Sequence, residues 1–228
     1  MTFEELLGPV GVDKFYSKYK GKTHFYIKSN KPKFQHYFSW GELDNYMNQM
    51  NIQAWDRTPQ LQVVLPNGDK WCKKKSEQKK TREEILKHWN DGCSFILTLS
   101  EFLNENMWKQ CQEFEKHYGI GQANIYCSKS KDAKVFPIHA DSTDNFLFHV
   151  RGKVRWYIYK EFAEKGGRFK DATLEEVVDL DEGDLLYIPK GKYHRVDTLS
   201  PRISISFHFR EAVKGKPYFR KDWYDWKP

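Results

Sequence analysis

The 228-residue sequence is short of the features that mark several large protein classes. Its four cysteines (Cys72, Cys93, Cys111, Cys127) form no CxxC pair. That excludes a zinc ribbon or a thioredoxin-like motif and implies reduced thiols. No basic segment followed by an apolar run opens the chain, so no secretory signal is expected. No apolar run approaches the length of a membrane-spanning helix, so no membrane partner is expected. No internal repeat or low-complexity linker divides the chain, and a single domain over 1–228 is the expectation. Together these absences predict a soluble, cytoplasmic protein. Acid is also in deficit, with 31 Asp and Glu against 38 Lys and Arg and a net charge of +7. A balance of that sign suits an anionic partner such as nucleic acid or a ribosome.

Aromatic side chains, by contrast, are abundant at 16%, with eight tryptophans, enough to fill a core and cap a sheet. In the first half, Thr2 and Gly8 bound a short helix, and Val12 to Tyr19 reads as a second. THFYIKS has the β-branched and aromatic character of a strand. Ser39 and Glu42 make a capping box ahead of Leu43, Tyr46, Met47 and Met50 at helical spacing. Residues 60–72 read as a hairpin turning at Pro66-Asn67-Gly68. Lys73 to Lys80 is a charge run, either a solvated lead-in or a contact to an acidic partner. Thr81 and Glu84 box a helix that Gly92 ends, Ser94 to Leu99 is an apolar strand, and Ser100 caps a long amphipathic helix to about Tyr118.

From Asn124 onward the pattern changes. NIYCS, FPIHAD, NFLFHV, KVRWYIY, GDLLYIP, YHRVDT and RISISFHF are short strands separated by turn signals, interrupted only over 161–182. The spacing predicts a sandwich or barrel. The fold class is therefore mainly β with a helical N-terminal half. Residues 1–120 would supply helix-rich support and outer strands, 121–210 the β core, and 211–228 an aromatic, basic tail.

The chemistry concentrates in that core. His139 and Asp141 are two residues apart in a predicted strand, so their side chains share a face. Far downstream, G-D-L-L-Y-I-P-K-G-K-Y-H supplies His194. Two imidazoles and one carboxylate form the ligand set of a non-haem Fe(II) site with open positions. His24, His36, His88, His117, His149 and His208 are read as structural.

This pattern resembles the JmjC branch of the cupin-fold 2-oxoglutarate oxygenases, and within it the ribosomal-oxygenase type. Phe15 to Asn48 is similar to the opening of that type. Asn124-Ile125-Tyr126 resembles its N-x-Y strand, and Asn145-Phe146-Leu147, Gly152 and Arg155-Trp156 resemble the strands after the HxD pair. The resemblance implies a double-stranded β-helix (a jelly roll) and Fe(II) held by His139, Asp141 and His194. It also implies 2-oxoglutarate and O₂ as cosubstrates, and hydroxylation of a protein side chain, notably in a ribosomal protein. Retention of Asp141 favours hydroxylation over halogenation, which vacates that ligand for chloride. The chain looks too short to hold the dimerisation and winged-helix domains of full-length ribosomal oxygenases, which weakens the transfer of their substrate.

One departure stands out. The family's cation for the far carboxylate of 2-oxoglutarate lies two residues after the glycine, where this chain has Val154. Either Lys153 or Arg155 substitutes through a shifted register, or the cation comes from another strand. Arg202 is the best candidate, because Arg202-Ile203-Ser204 puts a guanidinium and the Ser204 hydroxyl on one strand face. Asn145 and Tyr126 are further candidates, to donate to the near and far carboxylates or to act as structural polar groups. Competing readings are a small-molecule or tRNA-directed oxygenase, a metal-dependent cupin that does not use 2-oxoglutarate, and a non-catalytic module.

Overall fold

Aromatic and β-branched residues alternating with polar ones dominate the second half of the chain, and they form two facing antiparallel sheets. A computed structural model describes residues 1–48, 60–65, 67–71, 82–131, 133, 136–163 and 167–210. The chain begins with α1 (Phe3–Leu7) and α2 (Val12–Lys14), the latter continued by a π-helical turn over Phe15–Tyr19. Then come β1 (Phe25–Ile27), α3 (Trp40–Asn48), β2 (Gln60–Val64) and β3 (Lys70–Trp71). Next are α4 (Arg82–Asn90), β4 (Ser94–Thr98), α5 (Glu105–Glu115) and β5 (Ile120–Ser128). The rest is β: β6 (His139–Ala140), β7 (Asn145–Arg151), β8 (Val154–Phe162), β9 (Gly167–Arg168) and β10 (Leu174–Leu180). β11 (Leu185–Ile188), β12 (Lys192–Thr198) and β13 (Arg202–Arg210) complete it.

The larger sheet has eight strands in the order β1-β11-β7-β13-β5-β4-β2-β3, and the smaller has five, β10-β8-β12-β6-β9. One face of the larger sheet packs on the N-terminal helices. Phe146, Phe148, Phe207 and Ile205 meet Phe3, Phe15, Phe34 and Phe114 there. The other face meets the smaller sheet through Leu147, Leu186 and Ile188 against Val154, Trp156, Ile158, Val178, Leu180 and Val196. β13 shows how the period of two divides these environments. Ile203, Ile205 and Phe207 join the aromatic core, while Arg202, Ser204 and Ser206 turn to the space between the sheets. Among the described residues no helix is long and apolar enough to cross a membrane.

Several local signals match the observed elements. The Thr2 side chain accepts from Glu5 N and the Glu5 carboxylate accepts from Thr2 N, a reciprocal cap, with Gly8 ending the helix. Ser39 Oγ accepts from Glu42 N at 3.2 Å ahead of α3, and the hairpin pairs Val63 with Trp71. Two expectations need correction. Ser100 does not cap the long helix: its hydroxyl donates to Leu97 O within a 3₁₀ turn, and Asn104 caps α5 by accepting from Met107 N at 3.0 Å. The segment 161–182 does not interrupt the β pattern. It contains β9 and β10, and β10 pairs along β8 with Val178 and Leu180 facing inward. Its charges obscure a strand whose outer face is solvated. The N-terminal half contributes four strands to the larger sheet as well as helices. Met50, Cys72, Lys73 to Lys80, the Thr81 cap, Pro66 and the 211–228 tail lie outside the described residues.

Candidate active site

β6 and β12 are neighbours in the smaller sheet, and their register sets His139 directly across from His194. The two rings stand 4.4 Å apart between centroids. Asp141 lies one residue past the end of the short β6, and its carbonyl accepts from Gly191 N at 2.8 Å, which keeps the chain running beside β12. Its carboxylate stands 3.9 Å from His139 Nε2 and 3.6 Å from His194 Nε2. The three ligand atoms lie within 4.8 Å of one another.

The second nitrogen of each ring decides the tautomer. His139 Nδ1 lies 2.9 Å from Pro137 O, and His194 Nδ1 lies 3.0 Å from Lys192 O. A carbonyl only accepts, so both Nδ1 atoms carry the proton and both Nε2 atoms present lone pairs. Burial, then the neighbouring His194 ring, pushes His139 down to about 4, which keeps it neutral. Two imidazoles and one carboxylate, with the outer ring nitrogens anchored, fit a divalent transition metal.

Asp141 is itself held. Asn145 Nδ2 donates to Asp141 Oδ2 at 2.9 Å and to Thr143 O at 3.0 Å, while Asn145 Oδ1 accepts from Ser206 Oγ at 3.0 Å. The carboxylate and the carbonyl are acceptors only, so the amide can point just one way. Both amide hydrogens of Asn145 are thereby engaged.

The same three ligands open onto a cavity of about 30 Å³ between the sheets, lined also by Tyr126, Phe136, Asn145, Leu147, Trp156, Ile188, Val196, Arg202 and Ser206. Arg202 is 2% exposed. Its Nε reaches Ser128 Oγ and its Nη1 reaches Ser204 Oγ, both at a long 3.4 Å, and its Nη2 is buried with no partner among the described residues. Burial pushes the guanidinium down to about 10, although the Tyr126 and Cys127 side chains pull the other way. Tyr126 lies beneath it, 5.9 Å from ring centroid to guanidinium carbon. Burial, and secondarily the Asp141 charge, holds that phenol protonated and thus able to donate. Ser204 does not line the cavity. Its hydroxyl lies between Arg202 and His149 Nδ1, the latter at 3.0 Å, and His149 Nε2 donates to Gly152 O at 2.8 Å.

Lys153 and Arg155 are directed elsewhere. Lys153 pairs with Asp181 at 2.9 Å, and Arg155 makes a two-pronged pair with Asp179, both contacts at 2.7 Å. Val154 points inward and packs with Trp156 and Ile158. Sequence reasoning missed Ser128, Ser206, His149 and Trp156. The alternation of RISISFHF carried the signal for Ser206, and His149 follows from the same rule applied to NFLFHV. Nothing local marked Ser128 or Trp156.

The two-sheet fold and the His-Asp-His cluster opening between its sheets define a cupin-type metalloprotein. The chain belongs to the JmjC domain family, whose model matches residues 98–216. It is 29% identical over 234 residues to the bifunctional lysine-specific demethylase and histidyl-hydroxylase NO66 of Dictyostelium discoideum, covering 96% of this chain and 43% of that protein. Ribosomal oxygenase 1 of Gallus gallus is 26% identical over 148 residues, 60% of this chain and 24% of that protein. This chain thus spans less than half the length of these curated relatives. Among solved structures, the Escherichia coli ribosomal oxygenase YcfD, in complex with cobalt and 2-oxoglutarate, superposes with a TM-score of 0.64 at 18% identity. The match covers 93% of this chain and 53% of that one.

Proposed function

We propose that this protein is an Fe(II)- and 2-oxoglutarate-dependent oxygenase that hydroxylates a protein side chain. The observation that carries this reading is a buried guanidinium, without an acid partner among the described residues, in the same cavity as the His-Asp-His cluster. A buried charge left uncompensated is costly, and a carboxylate-bearing ligand relieves it.

In this reading His139, Asp141 and His194 hold the metal. When bound, the ion couples reduction of O₂ to oxidative decarboxylation of 2-oxoglutarate, so that substrate C–H, O₂ and 2-oxoglutarate become C–OH, succinate and CO₂. Arg202 receives the far carboxylate. Ser204, braced by His149, holds the guanidinium rather than the ligand. Asn145 fixes the Asp141 carboxylate, the structural one of the two roles read for it from sequence. Tyr126 offers its phenol from beneath Arg202. The apolar walls, Leu147, Ile188 and Val196, exclude water.

The names of the relatives make a histidine of a protein, ribosomal proteins included, the first substrate to test. The net charge of +7 supports a partner rich in nucleic acid, such as a ribosome. The free thiols of Cys93, Cys111 and Cys127 agree with a cytoplasmic setting. The deciding experiment supplies Fe(II), ascorbate and 2-oxoglutarate with ribosomal proteins. It follows succinate release together with a gain of one oxygen on a substrate peptide, both lost in His139→Ala. Failure of 2-oxoglutarate to bind in calorimetry with Mn(II) in place of iron would sink the reading.

A further inference from the structure

The cosubstrate reading gives Arg202 one wall of the cavity and leaves the facing wall unexplained. That wall belongs to the smaller sheet. Where the family resemblance leads one to expect a cation, it presents Val154, beside Ile158 and Val196. Trp156 is the exception. Its ring is 5% exposed, it lines the cavity, and its indole Nε1 is buried without a hydrogen-bond partner among the described residues. An indole N–H can only donate, so only an acceptor entering the cavity satisfies it.

Register fixes its depth. On the smaller sheet His194 faces Ile158, and the next inward pair is Val196 with Trp156. Trp156 therefore lies one pleat below the metal ligand, its ring 5.4 Å from that of His194. On the larger sheet Ser206 reaches toward the metal ligands through Asn145, and Ser204 lies one pleat below it. Ser204 pairs with Tyr126, and these two residues flank the Arg202 guanidinium. The indole N–H and the unsatisfied Nη2 thus belong to residues that line the same cavity from opposite sheets.

We propose that Trp156 donates its indole N–H to the far carboxylate of the dicarboxylate cosubstrate, opposite Arg202, so that both sheets grip one group. The clamp rests on the cosubstrate reading above. It replaces a second cation with a neutral donor on the wall where Val154 stands. A neutral donor opposite Arg202 leaves a single positive charge for a single negative one, whereas a cation at 154 would oppose the guanidinium already buried there.

The test compares two ligands in calorimetry with Mn(II). One is 2-oxoglutarate. The other is 2-oxopentanoate, which keeps the chelating end and carries a methyl in place of the far carboxylate. In Trp156→Phe, which keeps the ring, 2-oxoglutarate binding should weaken by about tenfold or more, as expected for a hydrogen bond to a charged acceptor. Binding of 2-oxopentanoate should stay within about twofold. Equal weakening of both ligands, or of neither, would overturn the clamp while leaving the cosubstrate reading intact. A wild-type protein that binds neither ligand, or does not prefer 2-oxoglutarate, would overturn the cosubstrate reading and the clamp with it. A second measurement needs no variant. With Zn(II), one indole N–H resonance should move downfield on adding 2-oxoglutarate and not on adding 2-oxopentanoate. An unmoved indole region would refute the clamp.

Discussion

Replacing Arg202 with methionine should raise the stability of the ligand-free protein while abolishing its hold on 2-oxoglutarate. Burial pushes the guanidinium down from its ordinary range to about 10. At roughly 1.4 kcal/mol per pH unit, that corresponds to ~3 kcal/mol held against the charged form in the fold. Methionine keeps most of the aliphatic stem and removes the charge. The hydroxyls it abandons keep other partners, Ser128 with Ser94 at 2.8 Å and Ser204 with His149 at 3.0 Å, so no new buried orphan appears. Allowing for the two long hydrogen bonds lost, a net gain of about 1–2 kcal/mol is expected. For a chain of this length that is a rise in Tm of roughly 2–8 °C. The same change should weaken 2-oxoglutarate by on the order of 30-fold to several thousandfold, the cost of removing one partner of a desolvated charge pair. Thermal melts with and without Mn(II) and 2-oxoglutarate read both effects. The wild type should gain Tm from the ligand, and the variant should start higher and gain nothing. A variant that melts below the wild type, or still gains from 2-oxoglutarate, would refute the reasoning.

Other consequences are simpler to read. Asn145→Ala should free the Asp141 carboxylate and lower metal affinity by about 10–100-fold, measured by Co(II) titration in visible absorption. His149 is pushed down to about 4, first by burial, so its neutral form belongs to the fold. The unfolded chain takes up the proton first. Stability is therefore full above about pH 6.5 and is lost as pH falls toward 4, by up to ~3 kcal/mol from this group. In metal-free protein His139 acts in the same direction, so His149→Gln should remove about half of that acid loss in urea midpoints compared at pH 7 and pH 4.5. Gly152 has φ +77°, and a Cβ there would stand 1.9 Å from Pro201 O. Gly152→Ala should cost more than ~3 kcal/mol in urea unfolding and loosen the turn whose carbonyl anchors His149.

The metal cluster was legible because its three residues carry their own spacing. The HxD pair shares a strand period, and His194 follows a turn that ends a strand. The Arg202 cavity was legible for the same reason: R-x-S needs only the period of two. Strand pairing was not legible, since no local rule says that β12 lies between β8 and β6. Consequently Trp156, which acquires its meaning only by standing across from Arg202, carried no signal of its own. β10 was hidden by a different cause. LEEVVDL turns Glu175, Val177 and Asp179 outward and buries only Val178 and Leu180, too few inward apolar residues to declare a strand. The Ser100 cap misled because serine before a helical pattern is a good signal that Asn104, closer to α5, outcompetes.

The alternation of β13 has one last consequence. The strand is a zipper with incompatible sides, guanidinium and hydroxyls on one, isoleucine and phenylalanine on the other. A slip of a single residue against β5 or β7 would drive Arg202, Ser204 and Ser206 into the aromatic packing on the helices and turn Ile203, Ile205 and Phe207 into the cavity. No odd-numbered slip preserves either side. The chain cannot finish its core without also assembling its ligand chamber, so folding proofreads the catalytic wall.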